Sequence, residues 1–234
     1  MARVIKIDNA LKKIFAKQAS KKKSRELVAY FLIVCEGEKT EPNYFKYFPK
    51  RNGKIVYDLK FDGGGISTLK VVEKAIELRD SSKQKYDRVW AVFDRDSFKS
   101  NSFNSAILKA KANNIECAWS NQAFELWYLL HFHNRITSMH RDEYKKAIEK
   151  AINQKFKTNP FRYKKNSLDM YSTLKKHGNQ EQAIKWARKL SNSFVGEKYS
   201  DFNPSTQVYK LVEELTGKSK KFTKEIIKKF NEGK

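Results

Sequence analysis

Eight consecutive residues, Val28-Ala29-Tyr30-Phe31-Leu32-Ile33-Val34-Cys35, carry no charge, are rich in apolar and aromatic side chains, and stop at Glu36-Gly37. The run is too short for a helix and too apolar for a strand with one wet face, so it predicts a strand buried on both sides. Strands of that kind belong to parallel sheets covered by helices on both faces. Ile55 to Phe61, Arg88 to Phe93 and Ile115 to Trp119 read as further strands, with helical patterns over Leu69–Leu78 and Phe103–Ala112 between them. The alternation predicts a βαβ-type parallel sheet.

Punctuation refines this outline. Thr40 is expected to cap a helix with Pro42 in its first turn and Tyr44, Phe45, Tyr47 and Phe48 on its apolar face. Pro49 to Gly53 should end that helix, and Asp62-Gly63-Gly64-Gly65 should turn the second strand into the next helix. From Gln122 onward the pattern is helical: Ala123–Phe132, Asp142–Phe156, Gln180–Leu190, Pro204–Leu215 and Lys220–Phe230, with loops at 157–165 and 178–180. Asn203 as a cap with Pro204 in first helical position marks the start of the fourth of these. No internal repeat is visible. The expected division is a basic N-terminal arm (1–25), an α/β domain (26–135) and a basic helical extension (136–234).

Charge follows that division. The net charge is +23, of which residues 26–140 carry only +3, while 1–25 carry +8 and 141–200 carry +9. A near-neutral centre with basic flanks suits a polyanion gripped at the periphery, because phosphate neutralisation supplies affinity without reading sequence. Nucleic acid is the expected partner; a solvated Lys-rich surface is the alternative, and the clustering favours binding. The two cysteines, Cys35 and Cys117, sit in separate apolar runs, which suits core thiols in a reducing cytoplasm rather than a disulfide or zinc framework. No long uncharged apolar stretch predicts a membrane span, and no signal peptide is evident.

The chemistry is expected at the strand ends. Open parallel sheets hold their sites outside the carboxyl ends of their strands, where Glu36 and the pair Asp94 and Asp96 fall. Two residues apart in extended chain, Asp94 and Asp96 point to one side and Arg95 to the other, and paired oxygens suit Mg2+ or Mn2+. Structural alternatives stay open: Glu36 can simply reach solvent, and Asp96 can cap the following helix. Gly37 permits close backbone approach by a ligand. Asn121 and Glu125, four apart at the start of a helix, are placed to complete a metal's shell or to anchor that helix. His131 and His133 lack a partner at zinc spacing and read as packing or phosphate contacts. The Gly63-Gly64-Gly65 run is a turn, and no nucleotide-hydrolysing P-loop is present. Lys39 and Arg95 could offset phosphate charge. Lys157, Arg162, Lys164 and Lys165, interleaved with aromatics, resemble a single-stranded nucleic-acid surface, with a solvated basic face over core aromatics as the alternative.

Glu36-Gly37 followed by Asp94-x-Asp96 resembles the TOPRIM catalytic core of topoisomerases, primases and old-type nucleases. Val34-Cys35-Glu36-Gly37-Glu38-Lys39-Thr40-Glu41-Pro42, Phe93-Asp94-Arg95-Asp96, Ser120 to Trp127 with Leu130-His131-Phe132, and Asn203-Pro204-Ser205-Thr206 together resemble the RloB family, over nearly the whole chain after residue 25. The resemblance implies a TOPRIM-like, mostly parallel sheet flanked by helices, with a basic helical C-terminal region. It also implies a bacterial protein of phage-defence or restriction loci, often encoded beside an ABC-type ATPase, with metal-dependent nuclease activity. Glu36 would then be general acid or base, or a metal ligand, and Asp94 and Asp96 would be Mg2+ ligands. The expected function is phosphodiester hydrolysis in DNA or RNA. A non-catalytic nucleic-acid-binding or sensor subunit is the rival reading, and a homodimer is left open.

Overall fold

The structure, a computed structural model, describes residues 27–52, 55–64, 67–95, 100–154 and 160–232. The expected N-terminal arm lies outside the described residues. Five strands form one sheet in the order β2-β3-β1-β4-β5: β1 (Leu27–Cys35), β2 (Arg51–Asn52), β3 (Ile55–Gly63), β4 (Arg88–Asp94) and β5 (Glu116–Ser120). Every pair is parallel except β2 with β3, so the sheet is mixed rather than wholly parallel. The exception falls where Pro49 to Gly53 is expected only to end the preceding helix. Two residues carry too little pattern to signal a strand, yet they pair at the edge beside the Tyr57 N–H, which donates to Lys50 O at 2.9 Å.

The period-2 alternation of β1 sorts its side chains onto two cores. Leu32 and Val34 face Val71, Val72 and Ala75 of α2 (Thr68–Ser81) and Phe103, Ala106 and Ile107 of α3 (Ser100–Ala112). Ala29, Phe31, Ile33 and Cys35 face the opposite way. Their core takes in α1 (Thr40–Lys46), α4 (Glu125–Leu129), α5 (Tyr144–Asn153), α6 (Met170–His177), α7 (Gln180–Asn192), α8 (Val208–Leu215) and α9 (Lys220–Glu232). The helices of the second half thus share one hydrophobic core with the sheet. Among the described residues no helix is long and apolar enough to cross a membrane.

Three expectations need correction. Residues 204–207 do not open a helix. They run alongside β5, with Thr206 bridged to Ser120, the Gln207 N–H donating to Trp119 O at 2.7 Å and the Asn121 N–H donating to Ser205 O at 2.8 Å. Backbone pairing at the exposed sheet edge outweighs the local Asn-Pro signal, and the helix begins at Val208. Thr40 does not cap α1; its hydroxyl reaches across to the Lys165 carbonyl at 2.9 Å. The Ala123–Phe132 pattern yields only a five-residue α-helix, and the helix at Met170–His177 was not anticipated among the cationic residues there.

Several polar contacts tie β4 to the last two helices. Glu214, on α8, accepts from Arg88 Nε at 2.9 Å and from Trp90 Nε1 at 3.0 Å. Arg88 also pairs with Glu225 of α9 and lies over the Phe222 ring, 4.8 Å from its centroid. α8 ends in a Schellman turn: the Gly217 N–H donates to Glu214 O and the Lys218 N–H to Glu213 O. Gly217 has φ +68, and a Cβ there would lie 1.3 Å from Asn52 Nδ2. Gly217→Ala should therefore cost about 1–3 kcal/mol, measured as a lower urea midpoint at unchanged slope. In an Asn52→Ala background only the collision is relieved, and the backbone penalty persists.

Candidate active site

The sequence order of strands against their order in the sheet fixes where a site can form. From β1 the chain moves to β3 on one side, whereas from β4 it moves to β5 on the other. The crevice between the carboxyl ends of β1 and β4 is the switch point at which open α/β sheets bind ligands. Glu36 and Asp94 stand on its two sides. The Glu36 N–H extends the ladder to Val92 O at 2.8 Å, and the Glu36 carboxylate accepts the Asp94 N–H at 2.9 Å.

A cavity of about 690 Å³ opens here, and Glu36, Glu41, Asp94 and Glu125 line it together. Asp94 accepts the Phe124 N–H at 2.9 Å just before α4, so the sheet holds the start of the helix that carries Glu125. Glu125 is itself buried and accepts the Tyr163 hydroxyl at 2.7 Å. Glu41, on α1, was not singled out from the sequence, although it lies in the same Glu-Gly-Glu-Lys-Thr-Glu stretch. A helix's first turn usually sends its carboxylates to solvent, and nothing local signals that this one turns inward. It is only 5% exposed.

Burial dominates the electrostatics. It pushes the Glu36 carboxyl up to about 7, against the opposing pull of the Asp94 N–H. It pushes Glu41 up to about 7 as well, with Glu125 adding to the effect. Asp94 is raised well above the carboxylate range, first by desolvation and then by Glu41, Glu125 and Glu36. Two carboxylate oxygens, Glu41 Oε2 and Asp94 Oδ1, are buried with no hydrogen-bond donor. Buried anions of this density call for a cation or protons.

Among the described residues no three His, Cys, Asp or Glu side chains form a ready ligand set for a metal ion. Backbone N–H groups and a tyrosine hydroxyl already hold one oxygen each of Glu36, Asp94 and Glu125. Hard oxygen donors with two unclaimed buried oxygens nonetheless fit Mg2+ or Mn2+ by chemistry. Asp96 lies outside the described residues, as does Lys157.

The remaining candidates divide. Lys39 and Lys165 line the carboxylate cavity, as do Gly37 and Arg141. Arg95 instead reaches Ser100 Oγ at 3.2 Å, with its Nε buried and unpartnered. Arg162 extends into solvent beside Glu149, and Lys164 is exposed. The aromatics between these cations are core: Tyr163 is buried, and Phe161 and Tyr171 pack against the larger core. Asn121 precedes α4 rather than sharing a helical face with Glu125, and its amide donates to Ser200 O at 2.9 Å. His131 is a packing residue whose Nδ1–H donates to Trp127 O, and burial pushes its ring down to about 4.

Gly37 answers to Glu41: a Cβ on Gly37 would lie 2.4 Å from Glu41 Oε2. Only a side-chain end would have to yield, so Gly37→Ala should fold while displacing the Glu41 carboxylate. A melting temperature within a few degrees of the parent is the expected result; if the cluster holds a metal as proposed below, Mn2+ affinity by calorimetric titration should fall on the order of tenfold.

A mixed sheet flanked by helices, with carboxylates buried at its switch point, places the chain among the open α/β proteins. Within that class, the RloB-like protein family model matches residues 31–215, most of the chain, and the protein belongs to the RloB-like family. Comparison with curated proteins and with solved structures returned no match.

Proposed function

We propose that the protein is a metal-dependent nuclease with a TOPRIM-like core that hydrolyses phosphodiester bonds in DNA or RNA. The observation that carries this reading is the convergence of Glu36, Glu41, Asp94 and Glu125 on one cavity with two buried oxygens unpartnered. Asp94 and Glu41, with Glu36 beside them, would hold Mg2+ or Mn2+, with Asp96 as the further ligand expected from the resemblance. When bound, such an ion offsets the carboxylate charge and polarises a phosphoryl oxygen.

The chain's own groups have separate tasks. Lys39 and Lys165 at the cavity wall would receive the phosphate backbone, which otherwise meets four carboxylates. Glu36, tied by the Asp94 N–H, is placed to orient a water or to carry a proton between water and leaving group. Tyr163 fixes Glu125, and the Thr40 bond to the Lys165 carbonyl holds Lys165 and Asn166 at the cavity wall. The cellular role consistent with the family is bacterial antiphage defence, acting with an ABC-type ATPase.

The test is cleavage of plasmid DNA, single-stranded DNA and tRNA by purified protein, alone and with the ATPase, in Mg2+, Mn2+ or chelator. Metal-dependent products that vanish with chelator support the proposal. Metal-independent binding with no cleavage in any arm sinks it and favours a non-catalytic nucleic-acid sensor. That second reading draws on the hydrogen bonds that already engage three of the four carboxylates.

A further inference from the structure

A second cavity, of about 500 Å³, lies outside edge strand β5 and shares no lining residue with the carboxylate cavity. Its size is within the range of small-molecule sites. Three chemical features converge on it. Trp119, Phe194, Tyr199 and Phe202 supply aromatic walls, with Phe194 and Phe202 already stacked at 4.9 Å and an interplanar angle of 11°. Gln207, only 6% exposed, lines the cavity; its Nε2 donates to Ser191 Oγ at 2.8 Å, while its Oε1 is buried with no donor. Lys111 and Lys210 stand at the rim, where Glu116 and Glu197 are the opposing charges, the latter 3.5 Å from Lys111.

An aromatic enclosure selects a flat ring, an unpaired buried carbonyl oxygen selects an N–H on that ring's edge, and exposed lysines select an anion attached to it. We propose that this cavity binds a phosphate-bearing nucleobase, at a site separate from the carboxylate cluster. A free mononucleotide and an unpaired nucleotide of a single strand present the same chemistry. Gln207 is the group that reads the base edge, and Lys210 the one that holds the phosphate.

Cys117 lines the same cavity and is half-buried, whereas the chain's other cysteine, Cys35, is fully buried. Alkylation of Cys117 therefore reports occupancy of this cavity in the native protein. Burial pushes the thiol up to about 12, so the reaction is followed with a small reagent at mildly alkaline pH. AMP, adenosine, inorganic phosphate and a short single-stranded oligonucleotide are the probes.

AMP or the oligonucleotide should slow Cys117 alkylation about threefold at two-thirds occupancy. AMP protecting identifies a free nucleotide, and the oligonucleotide alone protecting identifies a strand. Lys210→Met, at an exposed side chain, should raise the half-protecting AMP concentration about fivefold and leave adenosine unchanged. Gln207→Leu should weaken both. Asp94→Asn should leave protection intact. The proposal is overturned if neither nucleotide probe protects Cys117, if inorganic phosphate protects as well as AMP, if protection survives Lys210→Met and Gln207→Leu unchanged, or if Asp94→Asn abolishes it.

Discussion

Asp94→Asn should eliminate metal-dependent cleavage and, in the same protein, raise the melting temperature. Asp94 stands at the end of a central strand with Oδ1 buried and unpartnered, and burial first, then Glu41, Glu125 and Glu36, push its carboxyl toward the neutral form. Asparagine keeps the shape and can keep the carbonyl that accepts the Phe124 N–H, while its amide nitrogen can donate toward the neighbouring carboxylates. A carboxyl whose pKa is raised on folding costs stability at neutral pH, and asparagine, neutral in both states, removes that cost from the metal-free protein, by on the order of 1 kcal/mol or more. The same change deletes a proposed hard ligand and, if that assignment holds, should lower the cleavage rate by at least about 100- to 1,000-fold. Mn2+ should protect the parent against thermal unfolding and not the variant. A variant that loses activity because it unfolds, or one that keeps cleaving, would contradict the assignment.

Glu214→Ala should produce the largest loss of stability. Glu214 is 7% exposed and accepts from Arg88 and Trp90, while Tyr57 Oη donates to its backbone carbonyl at 2.9 Å. Truncation leaves the half-buried Arg88 guanidinium and the buried Trp90 N–H without their acceptor. Breaking one side of such a pair costs about 3 kcal/mol, with Glu225 retaining part of the Arg88 charge compensation. For a chain of this length that is a fall of roughly 6–12 °C in Tm. Arg88→Met combined with Glu214→Leu should recover much of the loss, because an apolar pair of similar volume leaves no stranded charge. A double-mutant cycle with small coupling would mean that helix packing alone holds α8 and α9 to the sheet.

The features legible in the sequence were those with strong local periodicity. Val28–Cys35 and Val89–Phe93 read as buried strands because no other element accommodates so short a run without charges, and both lie in central strands. Glu36 and Asp94 were legible for the same reason: they are the first carboxylates after those runs, and strand register brings them to one crevice. Glu41 was not legible, because its inward turn depends on the gap left by Gly37. Nor was the pairing of 205–207 with β5, where a long-range backbone ladder overrides an Asn-Pro helix-start signal. Tyr163 read as one of several aromatics among cations, and its bond to Glu125 spans 38 residues of chain that no local pattern connects.

That distance in sequence also sets a time of assembly. As the chain leaves the ribosome, Glu36 and Asp94 emerge early, but the tyrosine that positions Glu125 and the segment that closes the edge of β5 come only after residues 163 and 206. The carboxylate arrangement is therefore incomplete in any nascent polypeptide that ends before residue 163, so the proposed nucleic-acid-cutting centre assembles only once that tyrosine has been made.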